Sequence, residues 1–163
     1  ITMNKELSRQ VENLKFCQDL AMDILKMLTD EQLNFTVGKN MGTLGEQFRH
    51  MARVRLQYSE AIENKKIEET KETINPSIVK SKEKLIELWE KVNQRIPQIL
   101  EKISAEELEN LKIDWKHWGV DSMDIYSHLQ ALIDHENLHN GQIIVYVRTM
   151  GLKFPESWKA WGL

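Results

Sequence analysis

Residues 134–142 read Asp-His-Glu-Asn-Leu-His-Asn-Gly-Gln, and within them His135, Glu136 and His139 spell His-Glu-x-x-His. On a helix, imidazoles four residues apart leave the same face about 6 Å apart along the axis, so both can reach one metal ion. Neutral imidazole suits zinc, nickel or ferrous iron. Zinc metalloproteases carry the same string on a helix, with the glutamate as general base. They take their third ligand from downstream, a histidine a few residues on or a glutamate on a following helix. Beyond His139 this chain has no histidine, and its only carboxylate is Glu156, in a proline-containing tail. The protease is therefore the least favoured of the metal readings.

The third ligand has to come from elsewhere in the chain. His128 shares the face but precedes His135 by about 10 Å of rise, too far to reach the same ion without distortion. His50, in the middle of a predicted helix and beside its apolar stripe, is the best-placed candidate, and His117, in an irregular stretch, is a second. Against these ligand roles stands the plainer one of histidines hydrogen-bonded inside a polar core. Glu136 leaves the helix about 100° round from His135, which suits either a general base on water or thiol, or a partner on a neighbouring helix. Gln142 lies one turn beyond His139, where it lines the site or closes a hydrogen-bond network; the network is the expectation. Tyr146 continues the face as a core tyrosine. His128 is expected to cap or pair within the bundle. Cys17 has nothing nearby in sequence to lower its pKa and is expected to be a small buried hydrophobe.

The elements that must position these groups read as helices. Leu7, Val11, Leu14, Ala21 and Leu25 recur every three or four positions and predict a first helix over 4–28. Gly38, Asn40 and Gly42 mark a loop. Thr43 and Glu46 have capping-box spacing, so a second helix begins there and runs to Asn64, burying Leu44, Phe48, Met51, Tyr58 and Ile62. Residues 65–73, rich in lysine and glutamate, read as a solvated connection. Asn75-Pro76-Ser77 opens a third helix carrying Val79, Leu85, Leu88, Trp89 and Val92, which Pro97 kinks or ends. The next stretch is the least regular, a short helical turn and then a loop with Trp115 and Trp118. The fourth helix starts near Asp121 or Ser122 and stops at Gly151. The tail after it is aromatic, and Trp158 and Trp161, like Trp115 and Trp118, are expected to anchor on the core. The pattern is all-α, a four-helix bundle with an aromatic C-terminal tail packed on it, the architecture in which sites are built from side chains on facing helices.

Length and composition set the outer bounds. A chain of 163 residues suits one domain, placed at residues 3–163. With 22 basic and 25 acidic residues it has no basic footprint, so nucleic acid is not an expected partner. The apolar run Ile143 to Val147 is too short to span a bilayer, and the N-terminal stretch is charged and amphipathic, unlike a signal peptide, so no membrane partner is expected. The one cysteine, Cys17, forms no internal disulfide and suits a reducing compartment, and a cytoplasmic protein is the expectation.

Three stretches, LTDEQLNF at 28–35, TLGEQFRHMARVRLQY at 43–58 and SHLQALIDHENLHNGQIIVYVRTMGLKFP at 127–155, together resemble the DinB-like family of metal-binding bundles. This is the damage-inducible family, not the DNA polymerase of that name. Its pattern is a histidine in the second helix, then His-x-x-x-His, Gly-Gln and a helix ending in glycine. His50, His135, His139, Gly141, Gln142 and Gly151 occupy those places. The resemblance implies an up-down-down-up bundle, coordination of a divalent ion (zinc, nickel or iron) by His50, His135 and His139, and often a homodimer. Relatives with assigned activities include thiol-dependent transferases and an isomerase, in which the metal activates a low-molecular-weight thiol. One departure is Asn140, where many members carry arginine or histidine, so a basic residue's role at that place does not carry over. The expectation is a metal-dependent enzyme, a small-thiol S-transferase or hydrolase acting on a small-molecule substrate, with Glu136 as candidate catalytic residue and Gln142 beside the site. The alternative is a non-catalytic, metal-binding stress-response dimer whose ion is structural.

Overall fold

The computed structural model describes residues 3–163. Its long helices are α1 (Lys5–Met27), α2 (Leu44–Asn64), α3 (Lys82–Asn93) and α6 (Ile125–Thr149); α4 (Arg95–Leu100) and α5 (Ala105–Asn110) are short. Each long helix starts where a polar side chain can accept from a backbone N–H three residues on: Asn4 from Leu7, Thr43 from Glu46, Ser81 from Lys84 and Asp124 from Ser127. These acceptors satisfy donors that a helix end leaves orphaned. The capping box of Thr43 and Glu46 forms with both of its bonds in place.

α3 and α6 each pack on α1 and α2. Hydrogen bonds between the helices give their directions. Gln10 donates to the Tyr126 carbonyl and Asn140 to the Cys17 carbonyl, so α1 and α6 run the same way. His128 meets the Tyr58 carbonyl and Tyr146 donates to the Gly42 carbonyl, so α2 runs against α6. Trp89 donates to the Phe48 carbonyl and Arg55 to Asn93, so α2 and α3 run together. Among the described residues, no helix is long and apolar enough to cross a membrane.

The third helix does not begin at Asn75. Residues 76–80 form a separate 3-10 turn, Ser81 is extended, and α3 starts at Lys82. Asn75 and Ser81 each draw a backbone N–H to a side-chain oxygen, offering the chain an alternative to one continuous helix. At the other end Pro97 lies inside α4, and the interruption falls between Asn93 and Arg95. A proline ring clashes with the carbonyl four residues earlier and offers it no N–H, and here that carbonyl belongs to Asn93. Gly45 is required where the 76–80 turn crosses α2, because a Cβ there would meet the Val79 carbonyl oxygen at 2.0 Å.

The fourth long helix also starts later than its periodicity suggests. Ser122–Met123 form β2, which pairs antiparallel with β1 at Ile113–Asp114, and Asp114 exchanges backbone bonds with Lys65 and Ile67. Ile67 is buried, so the connection after α2 is solvated only in part. Of the tryptophans expected as anchors, Trp115 and Trp158 are buried, whereas Trp118 and Trp161 are 48% and 57% exposed.

The apolar core has two parts. One gathers Phe48, Trp89, Tyr146 and Trp158, and the other Leu14, Ile62, Ile125 and Leu129. On α6 the apolar residues of the two parts stop at Ile133 and resume at Ile143, and the buried residues between them are polar: Glu136, His139 and Asn140. Gln18 of α1 and Arg55 of α2 are buried as well.

Candidate metal centre

Two helices bring the candidate ligands together. His135 and His139 lie one turn apart on α6, and His50, in the second turn of α2, faces them across the antiparallel pair. His50 Nε2 is 3.2 Å from His135 Nε2, which is 3.0 Å from His139 Nε2. A metal–nitrogen bond of about 2.0–2.1 Å puts ligand nitrogens about 2.9 Å apart at octahedral angles and about 3.3 Å apart at tetrahedral ones. The observed separations fall in that range, and the three rings form a group able to hold one ion. His117 is exposed and lies outside the group.

The protonation states favour ligation. His139 Nδ1 is 3.0 Å from Gln47 Oε1, an acceptor, so the proton sits on Nδ1 and the Nε2 lone pair turns toward His135. Burial depresses the basicity of all three rings: His135 is pushed down to about 3 by desolvation and then by the neighbouring imidazoles, and His50 and His139 fall below the ordinary imidazole value for the same first reason. They are neutral at pH 7, with no proton to expel before binding. His50 is exposed, which leaves one side of the group open to solvent.

Gln47 was not singled out from the sequence, although its place one turn before His50 puts it on the same face. Gln142 lies beside His139, and hydrogen bonding between the two side chains works against the lowering of His139 by burial. Glu136 is turned toward α2, where Arg55 takes both of its oxygens, Nε to Oε1 at 2.7 Å and Nη2 to Oε2 at 2.6 Å. Of its two sequence-level roles, this geometry is that of the interhelical partner. Cys17 is buried, donates to Asn137 Oδ1, and has its thiol pushed up to about 11 by burial, which makes it inert.

His128 pairs within the bundle. Its Nδ1 accepts from the Trp115 indole at 3.2 Å, which leaves Nε2–H to donate to the Tyr58 carbonyl at 3.0 Å. Burial pushes this imidazole down to about 4 from an ordinary 6.5. The folded ring binds its proton less tightly than the unfolded one, so its contribution is full above pH 6.5 and is lost as the pH falls toward 4. The whole shift corresponds to roughly 3 kcal/mol, about 2 of it gone by pH 5. Urea unfolding at pH 7 and pH 5 should show a smaller loss of stability in His128→Gln than in the wild type; equal losses count against this account.

Comparison with known proteins agrees with this architecture. The model of the DinB family matches residues 3–158. Among solved structures, a DinB-like protein of Bacillus cereus superposes with a TM-score of 0.72 at 22% identity, over 90% of this chain and 93% of its own. A DinB-like protein of Bacillus subtilis, YjoA, gives 0.70 at 18% identity, over 91% of this chain and 97% of its own. At these identities the two structures speak for the fold. A search of curated proteins gave no match.

Proposed function

Starting from the chain's membership of the DinB family, which the match over residues 3–158 shows, we propose that His50, His135 and His139 hold a divalent ion, zinc, nickel or ferrous iron, in a metal-dependent enzyme. Its reaction is transfer of a small thiol to an electrophile, or hydrolysis of a small substrate. The observation that carries this reading is the convergence of three neutral imidazole nitrogens beside an exposed edge. An ion held by three protein ligands supplies Lewis acidity to water or a thiol in its remaining positions. The chain's own groups prepare the place. Gln47 fixes the tautomer of His139, and Arg55 holds Glu136 so that α6 keeps its rotation against α2. Glu136 then acts by positioning, with no proton transfer assigned to it.

Cobalt-loaded protein tests the thiol. A small thiol reaching the site should bind as thiolate and give a sulfur-to-metal charge-transfer band. Cys17→Ser should leave that band unchanged, since Cys17 donates to Asn137 on another face of α6. If a panel of cellular thiols gives no band while acetate exchanges freely, hydrolysis ranks above transfer. Protein that binds no cobalt at all ends the proposal.

A further inference from the structure

Down the outer side of α6, Asp134, Leu138, Gly141, Val145 and Arg148 are all exposed, and they recur at alternating steps of four and three residues. That is the spacing of a coiled-coil seam. The stripe runs about 21 Å along the helix, and its centre at Gly141 lies roughly 120–160° round from His135 and His139. Leu138 and Val145 are 61% and 51% exposed. At the edge toward α1, Phe16 stacks on Trp161, and both rings are exposed. Trp161 shares one cleft with Gly141 and Arg148, so this aromatic pair borders the stripe. Of the seven large apolar side chains exposed among the described residues, four therefore gather on one face. A contiguous apolar patch rimmed by polar groups marks an interaction surface.

Charge says what covers it. Asp134 and Arg148 stand seven residues before and seven after Gly141, and neither has an ion-pair partner among the described residues. About 21 Å apart on one helix, they cannot meet each other. When a second copy of α6 crosses antiparallel about a two-fold axis level with Gly141, Asp134 of each copy falls beside the partner's Arg148, and Leu138 beside the partner's Val145. A parallel copy would instead set like charge against like. The crossing point is where two backbones come closest, and it is occupied by glycine. Glycine is unfavourable inside a helix, and a Cβ at Gly141 would meet nothing within 4 Å in its own chain. Packing within the subunit therefore does not ask for it, whereas close approach of another backbone does.

We propose that this face joins two copies of the chain, α6 against α6, antiparallel about a two-fold axis at Gly141. The same patch serves both copies, so the contact closes at a dimer. Because the seam lies away from the histidines, it stands whether or not they hold an ion.

Sedimentation equilibrium of the full chain over a micromolar concentration series should show a dimer. Asp134→Arg and Arg148→Asp should each weaken it roughly 10–100-fold, since two opposite-charge contacts become like-charge ones. The variant carrying both reversals should return to the wild-type constant. Leu138→Glu should give monomers with unchanged helix content by circular dichroism, and the charge reversals decide the matter if it fails to fold. Cross-linking reads the direction. In a Cys17→Ser background, Leu138→Cys and Val145→Cys chains should form a mixed disulfide after subunit exchange, far more readily than either chain with itself. A monomeric wild-type chain overturns the proposal, as does a folded Leu138→Glu chain that dimerises like the wild type. So does a double reversal that associates no better than the single ones, or a Leu138→Cys chain that cross-links preferentially to itself.

Discussion

Alanine at His50, His135 or His139 is expected to raise the dissociation constant for zinc by about two to three orders of magnitude, to a similar extent at each position. A four-ligand structural zinc site is worth roughly 10–16 kcal/mol, about 2.5–4 per ligand, and every 1.4 kcal/mol is about tenfold. Competition against a chromogenic chelator measures the change. His50 is exposed, so His50→Ala should melt near the wild-type temperature, which separates lost ligation from lost folding. His128→Ala should keep its metal, because both nitrogens of that ring are committed to Trp115 and Tyr58. Gln47→Ala should fall between, about 10–100-fold weaker, as expected when the support of a ligating histidine is removed. Stoichiometric, tightly held zinc in purified His50→Ala would falsify the three-histidine site.

The largest loss of stability is expected from Arg55→Met. Arg55 and Glu136 are 1% and 0% exposed and share two charge-assisted hydrogen bonds. The guanidinium also donates to Asn93 Oδ1 at 2.8 Å and lies 3.7 Å over the Trp89 ring. Removing one partner strands the other charge out of water, which costs roughly 3–5 kcal/mol. For a chain of this size that is a fall in melting temperature of roughly 6–20 °C. The double variant Arg55→Met, Glu136→Leu should recover most of the loss, since replacing a whole buried pair by apolar groups is often close to neutral. Thermal unfolding of the three proteins decides it: a double variant no more stable than Arg55→Met means that the stranded carboxylate was not the cause. Glu136→Gln should retain metal, because both carboxylate oxygens are engaged by Arg55.

What was legible in the sequence and what was not follow a physical division. The histidine pair is local: four residues apart on a helix fixes a shared face before anything else is known. His50 was reachable because it borders an apolar stripe, and Thr43 and Glu46 because a capping box is complete within four residues. Family resemblance added the likelihood of their meeting, and Gln47, one turn from His50, was available to the same reasoning about helix faces. Arg55 was beyond it. Its bond to Glu136 joins residues 81 positions apart, and charge alone does not say which helix faces meet. The β1–β2 pair escaped because strands of two residues are too short to alternate. Trp118 and Trp161 show the limit of residue type, since an indole's apolarity does not decide which side of a turn faces the core. Pro97 signalled an interruption correctly, but its steric effect reaches back to Asn93.

α6 is fastened on both sides of the histidines, by Tyr146 to Gly42 in the loop that leads into α2 and by His128 to Tyr58 within α2. Neither fastening involves an ion. If the cradle holds an ion, a chelator should therefore empty it without collapsing the fold, and refilling should require no refolding. Such a cradle offers nitrogen donors to every first-row divalent ion, with affinity rising toward copper as that series dictates. The occupant is then set by what the surroundings supply, so cells raised on different metals should yield the same folded chain carrying different ions.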